Sequence, residues 1–510
     1  MMAAENTSVV PCLPELLAGF VTEQEIANLS VHGLANDSRQ VKPGDVFFAV
    51  SGYAMHGLEY VDEAIRQGAI AIVWEPASSI EALQKTDATI PWVAVENLRL
   101  HLSEIAGRFY GHPSSSMQCI AVTGTDGKTS VSHFIAQALQ APSQPCGLIG
   151  TLGYGVFGDL QPASHTTPDA LKMQSELSRL NDQGTTSVVM EVSSHALDQG
   201  RVGAVHFDTA ILTNLSRDHL DYHGTMAAYA EVKASLFHFS GLNNAVINAD
   251  DTLGVRLLEE IENTVRVIAY SIDPNFDTSQ LKANTEWLHA SAIKNTSLGQ
   301  EVVLNSSWGD ATVNSQLIGN FNIANLLATA AALLASGQSY TEVIAQLPTI
   351  SSVPGRMELI GGDQQPVVVI DYAHTANALE TVLTSLKSRC RSELICVFGA
   401  GGNRDKGKRS AMGKVAESLA DWVVVTSDNP RHEDPEKILD EIVEGIVDRS
   451  KVVKIEDRAE AIEAAIETAD VQDVILVAGK GHEETQKIGD QCVSFSDREQ
   501  VIQALKRWQE

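Results

Sequence analysis

Short apolar runs separated by helical stretches recur along most of the chain. Between residues 30 and 100, Asp45-Val-Phe-Phe-Ala-Val50 and Ala69-Ile-Ala-Ile-Val73 flank a helical stretch near 60–67, which predicts a small α/β unit. The periodicity stops in Tyr110-Gly-His-Pro-Ser-Ser-Ser116, a cluster of turn residues that predicts a linker. Beyond it, Cys119-Ile-Ala-Val122 leads through a glycine-containing turn into a helix near 130–139, and Ser187-Val-Val-Met-Glu191 and Ala210-Ile-Leu-Thr213 are further apolar runs. Uninterrupted apolar strands interleaved with helices predict a parallel sheet covered on both faces. After a helical 320–335 stretch, Leu347-Pro-Thr-Ile-Ser-Ser-Val-Pro354 marks a second boundary. The strand-like Pro366–Asp371, Leu394–Phe398, Trp422–Thr426 and Val474–Val477 then alternate with helices, a doubly wound pattern whose ligands sit beyond the strand C-termini. The division predicted is 1–112, 113–347 and 348–510, three α/β domains, and 510 residues suit that number at about 150 each. No internal repeat or low-complexity tract interrupts it.

Composition removes several classes of function. Hydrophobic residues make up 44% and charged residues 20%, with 37 Gly and 16 Pro, which excludes fibrous and disordered chains. Lys and Arg number 36 against 65 Asp and Glu, a net charge of −29, so a nucleic-acid backbone would be repelled over most of the surface. An anionic small molecule could bind only where cations, backbone N–H groups or metal ions reverse that field locally. The six cysteines (Cys12, Cys119, Cys146, Cys390, Cys396, Cys492) are dispersed with no CxxC pair, as expected of thiols in a reducing compartment. The N-terminal residues have no basic n-region, and nowhere do 18 apolar residues run together. The expectation is a cytoplasmic protein with no membrane span.

The candidate chemistry clusters after the apolar strands. Thr123-Gly-Thr-Asp-Gly-Lys-Thr129 lies between strand and helix, where a glycine loop can wrap phosphates with backbone N–H groups. Val122 stands where GxxxxGK[ST] has its first glycine, so the loop is not a standard P-loop. Glu191-Val-Ser-Ser-His195 and Thr213-Asn-Leu-Ser-Arg-Asp-His-Leu-Asp221 supply oxygen and imidazole groups suited to a divalent metal. Read singly, Glu191 or His219 is equally a satisfied polar residue at a strand end. Gly399-Ala-Gly-Gly-Asn-Arg-Asp-Lys-Gly-Lys-Arg409 is a basic island in an acidic chain, open to reading as an anion site or a solvated charge run. Asp428-Asn-Pro-Arg431 and Gly479-Lys-Gly-His-Glu483 follow two more strands of the same sheet.

Taken in order, these segments resemble the Mur ligase family, ATP-dependent amide-forming enzymes of peptidoglycan synthesis, and most closely its MurE type, which adds the third amino acid. The resemblance covers almost the whole chain and also rests on Gly319-Asn-Phe-Asn322, Pro354-Gly-Arg356 and Asp371-Tyr-Ala-His374. The family usually has Asn where this chain has Asp126, and His165 replaces the asparagine that commonly precedes the Thr-Thr pair.

The resemblance implies an N-terminal domain that binds the UDP-substrate, a central P-loop-type ATPase domain and a C-terminal Rossmann-like domain. Ser38 and the Tyr53-Ala54-Met55 loop would grip the uridine nucleotide, while His165, Thr166, Thr167, Ser193, Gln199 and Arg201 would hold the muramoyl-dipeptide. ATP would lie between the later domains, on Thr123, Gly124, Thr125, Asp126, Gly127, Lys128 and Thr129, with Asn320 near adenine and Arg356 and Asp371 approaching. Thr129, Glu191, His219 and Lys233 would serve Mg2+, with Lys233 carbamylated to N6-carboxylysine. Such a carbamate turns a cation into an anionic oxygen ligand; read alone, Lys233 is equally a helix-surface lysine. Lys128, Glu191, His219 and Lys233 form the implied catalytic set, which domain closure would assemble.

The expected reaction joins meso-2,6-diaminopimelate to UDP-MurNAc-L-Ala-D-Glu through an acyl phosphate, in cell-wall biogenesis and hence cell shape and division, by a monomer. Diaminopimelate is favoured over L-lysine because the Asp428, Asn429, Pro430 and Arg431 loop has the form associated with diaminopimelate-adding members, with Arg404, Gly479 and Glu483 completing the pocket. Arg431 can meet a distal carboxylate bidentately, although Asn-Pro-Arg alone also reads as a turn. Two alternatives differ in what they demand. A folylpolyglutamate-synthetase-like ligase would not need the first hundred residues as a nucleotide module, and a noncatalytic nucleotide switch would not need the later islands.

Overall fold

A computed structural model describes residues 10–21, 26–52, 55–76, 90–163, 165–296, 299–362 and 364–508. Its contacts gather into two bodies, one formed by the chain through Tyr270 with 277–287 and 331–338, the other by the remainder.

The first body opens with α1 (Leu13–Leu17), β1 (Gly33–Ala35), β2 (Asp45–Ala49), α2 (Val61–Gln67), β3 (Ala71–Trp74), β4 (Trp92–Ala94) and α3 (Leu98–Phe109). The strands form a parallel sheet in the order β1-β2-β3-β4. Successive strand residues point to opposite faces. Val46, Phe48, Ala71 and Val73 therefore pack with α1 and α3, and Phe47, Ala49 and Ile72 with Val61 and Ala64 of α2. Two covered faces explain why β2 is apolar without alternation.

The same body continues through β5 (Gln118–Thr123), α4 (Lys128–Leu139), β6 (Cys146–Gly150), β7 (Gly153–Val156), β8 (Asp159–Gln161), α5 (Ala170–Asp182), β9 (Ser187–Glu191), α6 (Ser194–Asp198), β10 (Thr209–Leu212), α7 (Leu220–His223), α8 (Met226–Ala234), β11 (Asn244–Asn248), α9 (Thr252–Glu260) and β12 (Arg266–Ser271). Strands β12-β11-β10-β5-β9-β6 are parallel, and β7 and β8 add an antiparallel edge. The predicted helix starts at Lys128 rather than near residue 130, which brings the Lys-Thr pair into its first turn. Ala170 and Leu171 of α5 join the core of the N-terminal sheet, and each such fully buried Leu contributes roughly 1.5–3 kcal/mol. Register sets Glu191 beside Val122 and Leu212 beside Thr123, so the polar residues of β5, β9 and β10 emerge at one edge.

The chain then forms an antiparallel ribbon that the apolar pattern did not reveal, β13 (Glu286–Asn295), β14 (Gln300–Ser306) and β15 (Ala311–Ser315), followed by α10 (Asn320–Ala335) and α11 (Tyr340–Gln346), and the second body takes 288–330 and the chain from Ser339 onward. The second body continues with β16 (Glu358–Gly361), β17 (Val367–Asp371), α12 (Ala376–Lys387), β18 (Leu394–Phe398), α13 (Gly407–Leu419), β19 (Trp422–Val425), α14 (Pro435–Val443), β20 (Val452–Lys454), α15 (Arg458–Glu467), β21 (Val474–Ala478), a separate hairpin of β22 (Thr485–Ile488) and β23 (Gln491–Ser494), and α16 (Asp497–Trp508), and the strands from β16 to β21 form one sheet. The order is β16-β17-β21-β18-β19-β20, parallel except for β16. Residues of α12, α13 and α14 cover one face and those of α15 and α16 the other, the doubly wound arrangement predicted. Asp371 and Phe398 both pair with Ala478, which brings the loops after β17, β18 and β21 to one edge. Among the described residues no helix is long and apolar enough to cross a membrane.

Candidate active site

In the first body the loop between β5 and α4 bends over the sheet edge on two glycines. Gly124 has φ +148° and a Cβ there would lie 1.8 Å from Thr213 Oγ1, while Gly127 has φ +81°, conformations that side chains disfavour. The loop is fastened to the end of β10: Thr125 N–H donates to the Asn214 carbonyl, Asp126 N–H to Asn214 Oδ1, and Thr213 Oγ1 to the Asp126 carbonyl at 2.6 Å. What remains open is the N-terminus of α4, whose first N–H groups have no helical acceptor and carry the positive end of the dipole. Lys128 Nζ donates to the carbonyls of Gly124 and Thr125 at 2.9 and 2.8 Å, which keeps the cation over the loop that precedes its helix.

Beneath this loop Glu191 is fully buried. Its carboxylate accepts from Thr129 Oγ1 at 3.0 Å and from Thr151 N and Oγ1 at 2.8 and 3.1 Å. Lys233 is buried rather than on a helix surface; Nζ donates to the Gly124 carbonyl at 2.7 Å and lies 4.6 Å from the centre of the Tyr229 ring. Burial, reinforced by Lys128, drives its pKa well below the ordinary lysine value, which favours the uncharged amine. His219, at φ +52°, is half-exposed at the start of α7. It sits at the rim of a ring cluster: His195 and His219 centres are 4.9 Å apart, and Tyr222 and His223 pack alongside. Among the described residues no three His, Cys, Asp or Glu side chains converge as a metal site. The Thr129 hydroxyl and the Glu191 carboxylate nevertheless provide hard oxygens, the donor type that suits magnesium, which completes its shell from water and phosphate.

Beside this edge lies a cavity of about 360 Å³, lined by Asn36, Ser51, Gly52 and Arg99 from the N-terminal sheet's loops and α3, and by His165, Asp169, Gln199, Arg201 and Tyr222 from the central segments. Arg201 donates to Gln199 Oε1 and to the Thr167 carbonyl, and Gln199 donates to the Tyr222 hydroxyl. The Thr167 hydroxyl donates to the Glu191 carbonyl, and Thr166 meets Thr151 at 3.1 Å between hydroxyls. Ser193 caps α6 by accepting from Ala196 N–H. Of the residues expected to grip the uridine, Ser38 is buried with its hydroxyl on Glu63 at 2.5 Å and does not line this cavity, Met55 is exposed, and Tyr53 and Ala54 lie outside the described residues. Arg99 and Tyr222 escaped the sequence reading, because neither stands in a glycine-rich or basic island.

In the second body, Asn429 Nδ2 donates to Glu483 Oε2 at 2.8 Å, and the fully buried Lys480 donates to Glu483 Oε2, Asn429 Oδ1 and the Thr485 carbonyl. Arg431, at φ +53°, donates from Nη1 to the Gly402 carbonyl, which brings the loops after β18 and β19 together. Gly479 is needed where it stands: its φ is +117°, and a Cβ would come 2.7 Å from Asp428 Oδ2. Asp371 accepts from Met357 N–H and Ala373 N–H, and the Arg356 guanidinium lies 4.4 Å over the Tyr372 ring. Asn320 accepts from Gln300 Nε2 at 3.2 Å. The basic island divides: Arg409 is buried on Glu433 and Glu441, Lys408 reaches the His374 carbonyl, and Arg404 is exposed.

Family models match three segments in order, the Mur ligase family catalytic domain at 30–110, the Mur ligase middle domain at 122–333 and the Mur ligase glutamate ligase domain at 355–481. The UDP-N-acetylmuramoyl-L-alanyl-D-glutamate-2,6-diaminopimelate ligase of Alkalilimnicola ehrlichii is 47% identical over 97% of this chain and 98% of its own. The chain belongs to the Mur ligase family. A Pseudomonas aeruginosa Mur ligase of the same name is 45% identical over 94% of this chain and 96% of its own. A solved Mur ligase structure of that name, 35% identical, superposes with a TM-score of 0.67 over 94% of this chain and 96% of the other. A Mycobacterium tuberculosis folylpolyglutamate synthase complexed with ADP and AMPPCP, 21% identical and with a TM-score of 0.61, covers 74% of this chain and 92% of its own, a likeness of fold.

Proposed function

We propose that this Mur ligase uses ATP to join meso-2,6-diaminopimelate to the γ-carboxylate of D-glutamate in UDP-N-acetylmuramoyl-L-alanyl-D-glutamate, releasing ADP and phosphate. The observation that carries the amino-acid assignment is the loop Asp428-Asn429-Pro430-Arg431, fixed beside Gly479 and Glu483. The relatives' shared name supports the same acceptor and amine.

A carboxylate cannot acylate an amine directly, because oxide would have to leave. Transfer of the γ-phosphoryl group to the carboxylate oxygen gives an acyl phosphate and ADP; attack by the amine then breaks the C–O bond to phosphate and forms the amide. The open N-terminus of α4 and the Lys128 ammonium bind the phosphates and offset the charge that develops on them. Arg201, held flat by Gln199 and the Thr167 carbonyl, and Arg99 make the cavity locally cationic, so it receives an anionic acceptor despite the acidic surface. Thr129, Glu191, His219 and Lys233 would hold Mg2+, which when bound neutralises phosphate charge. In its uncharged form the Lys233 amine can add to carbon dioxide, losing a proton and becoming the N6-carboxylate; labelled carbon dioxide should give a carbamate carbon signal that Lys233→Ala lacks.

Arg431 meets the distal carboxylate of diaminopimelate, and Asp428 and Glu483 receive its ammonium. L-Lysine lacks that carboxylate and would leave a cation uncompensated in the pocket. On this reading the domains divide near residues 112 and 347, and the protein acts in the cytoplasm as a monomer. The test is product mass after incubation with ATP, magnesium, UDP-muramoyl dipeptide and both amino acids in competition. Diaminopimelate should be incorporated at least roughly 10³-fold more efficiently; comparable L-lysine incorporation, or unchanged selectivity in Arg431→Ala, would remove the assignment.

A further inference from the structure

A charged pair with no solvent contact lies directly behind the proposed amino-acid pocket. Arg458, the first residue of α15, and Asp497, the first of α16, are both buried and joined by two bonds of 2.7 Å, from Nε to Oδ1 and from Nη2 to Oδ2. The guanidinium has further donors, and they go to two carbonyls. Nη1 reaches Ser427 O at 3.3 Å and Nη2 reaches Ala478 O at 3.0 Å. These carbonyls belong to the peptides immediately before Asp428 and Gly479, the two residues that stand so close that a Cβ on one would meet the carboxylate of the other.

We propose that Arg458, oriented by Asp497, is a positioning residue for the amino-acid pocket: its planar fork sets the spacing of the loops after β19 and β21 and so fixes Asp428, Gly479 and the Arg431 that follows. The inference rests on the reading of this edge as the diaminopimelate site. A guanidinium carries five N–H donors and the Asp497 carboxylate takes two of them, so where the others go decides what the pair holds in place. Here the guanidinium spans a carboxylate and two main-chain acceptors, one in the loop after β19 and one at the end of β21, a geometry that a lysine ammonium, with a compact charge and no planar fork, cannot reproduce. Lys480 ties the next residues of the same loops, Asn429 and Glu483, so pocket geometry is set from beneath by two buried cations.

The test is Arg458→Lys, which keeps the charge opposite Asp497 and loses the fork, with Arg458→Met/Asp497→Leu as a second variant that removes both charges, a replacement buried pairs often tolerate. For whichever variant folds, the expected result is a rise of tenfold or more in KM for diaminopimelate, weaker discrimination against L-lysine, and KM values for ATP and the UDP-muramoyl dipeptide within twofold of the parent. Amide exchange should quicken in 426–431 and 478–483 and stay unchanged in 128–139. An unchanged amino-acid KM with unchanged exchange would overturn the proposal, as would a uniform loss of all three affinities. Parent enzyme that turns over no diaminopimelate would instead overturn the functional reading, and the exchange comparison would still decide whether Arg458 holds the two loops.

Discussion

Lys128 and His482 show how differently two polar residues of recognisable motifs behave. Lys128 donates to carbonyls of its own loop, and its contribution falls on the transferring phosphoryl group. Lys128→Ala should fold normally and lose roughly 10²- to 10³-fold in turnover, measured as phosphate release dependent on both acceptor and amine; near-normal release would reject the phosphate-loop assignment. His482 is held neutral, its pKa pushed down to about 4 by burial and then by Arg356. An unfolded histidine titrates near 6.5, so between those values the unfolded chain binds the extra proton. Stability is therefore fully present above about pH 6.5 and falls as the pH drops toward 4, by at most about 3 kcal/mol. Urea midpoints of the parent and His482→Gln, followed through the C-terminal sheet, should diverge in the sense that the parent loses more on acidification; parallel midpoints would contradict this. At this scale the sequence revealed which residues cluster but not what each one touches. Arg409 counted toward a basic island and is a buried partner of Glu433 and Glu441. Lys233 could pass for a surface lysine until α8 is seen to bury it.

Apolar runs made the central strands legible because both sheet faces are covered, so β5, β9, β18 and β21 carry no polar alternation to blur them. The β13–β15 ribbon was illegible for the opposite reason: β13 is only partly buried and polar residues interrupt it. The β22–β23 hairpin is mostly exposed and has no periodicity to read. Its role is visible only in three dimensions, where Gln486 Nε2 donates to the Asp428 carbonyl and Lys487 N–H to Asn429 Oδ1. The strand–loop–helix unit β5–α4 was the reverse, legible in sequence and specific in its demands. Gly124→Ala should be among the most damaging small changes there, since the new Cβ would fall 1.8 Å from Thr213 Oγ1 at a φ of +148°. The loop would have to pull away from β10, and backbone strain of this kind costs on the order of 1–3 kcal/mol. ATP affinity should fall at least tenfold while amino-acid binding to the second body is kept; calorimetric titration of both ligands checks this, and unaltered ATP binding would show that the close approach is dispensable.

The fold class was legible at the scale of the whole molecule because alternating strands and helices leave few alternatives, whereas contacts such as Arg458 with Asp497, 39 residues apart, have no local signature. Charge is the other property that belongs to the entire chain. With 65 acidic against 36 basic side chains and a net charge of −29, the compact state repels itself, since folding brings together like charges that the unfolded chain keeps apart. Exposed ion pairs such as Lys454 with Glu436 and Asp440 offset little of this, each being worth about 0–1 kcal/mol. The Arg458–Asp497 pair of the second body is buried and largely shielded from added ions. Salt therefore screens mainly the repulsion. Raising monovalent salt from about 0.01 to 0.15 M, which shortens the Debye length from about 30 to 8 Å, should raise the first thermal transition at neutral pH by roughly a few degrees. It should do so equally with potassium chloride and sodium chloride, since screening depends on ionic strength and not on the ion. A transition that falls with salt would mean that surface ion pairs outweigh self-repulsion; one that rises with only one of the cations would point to a bound ion instead.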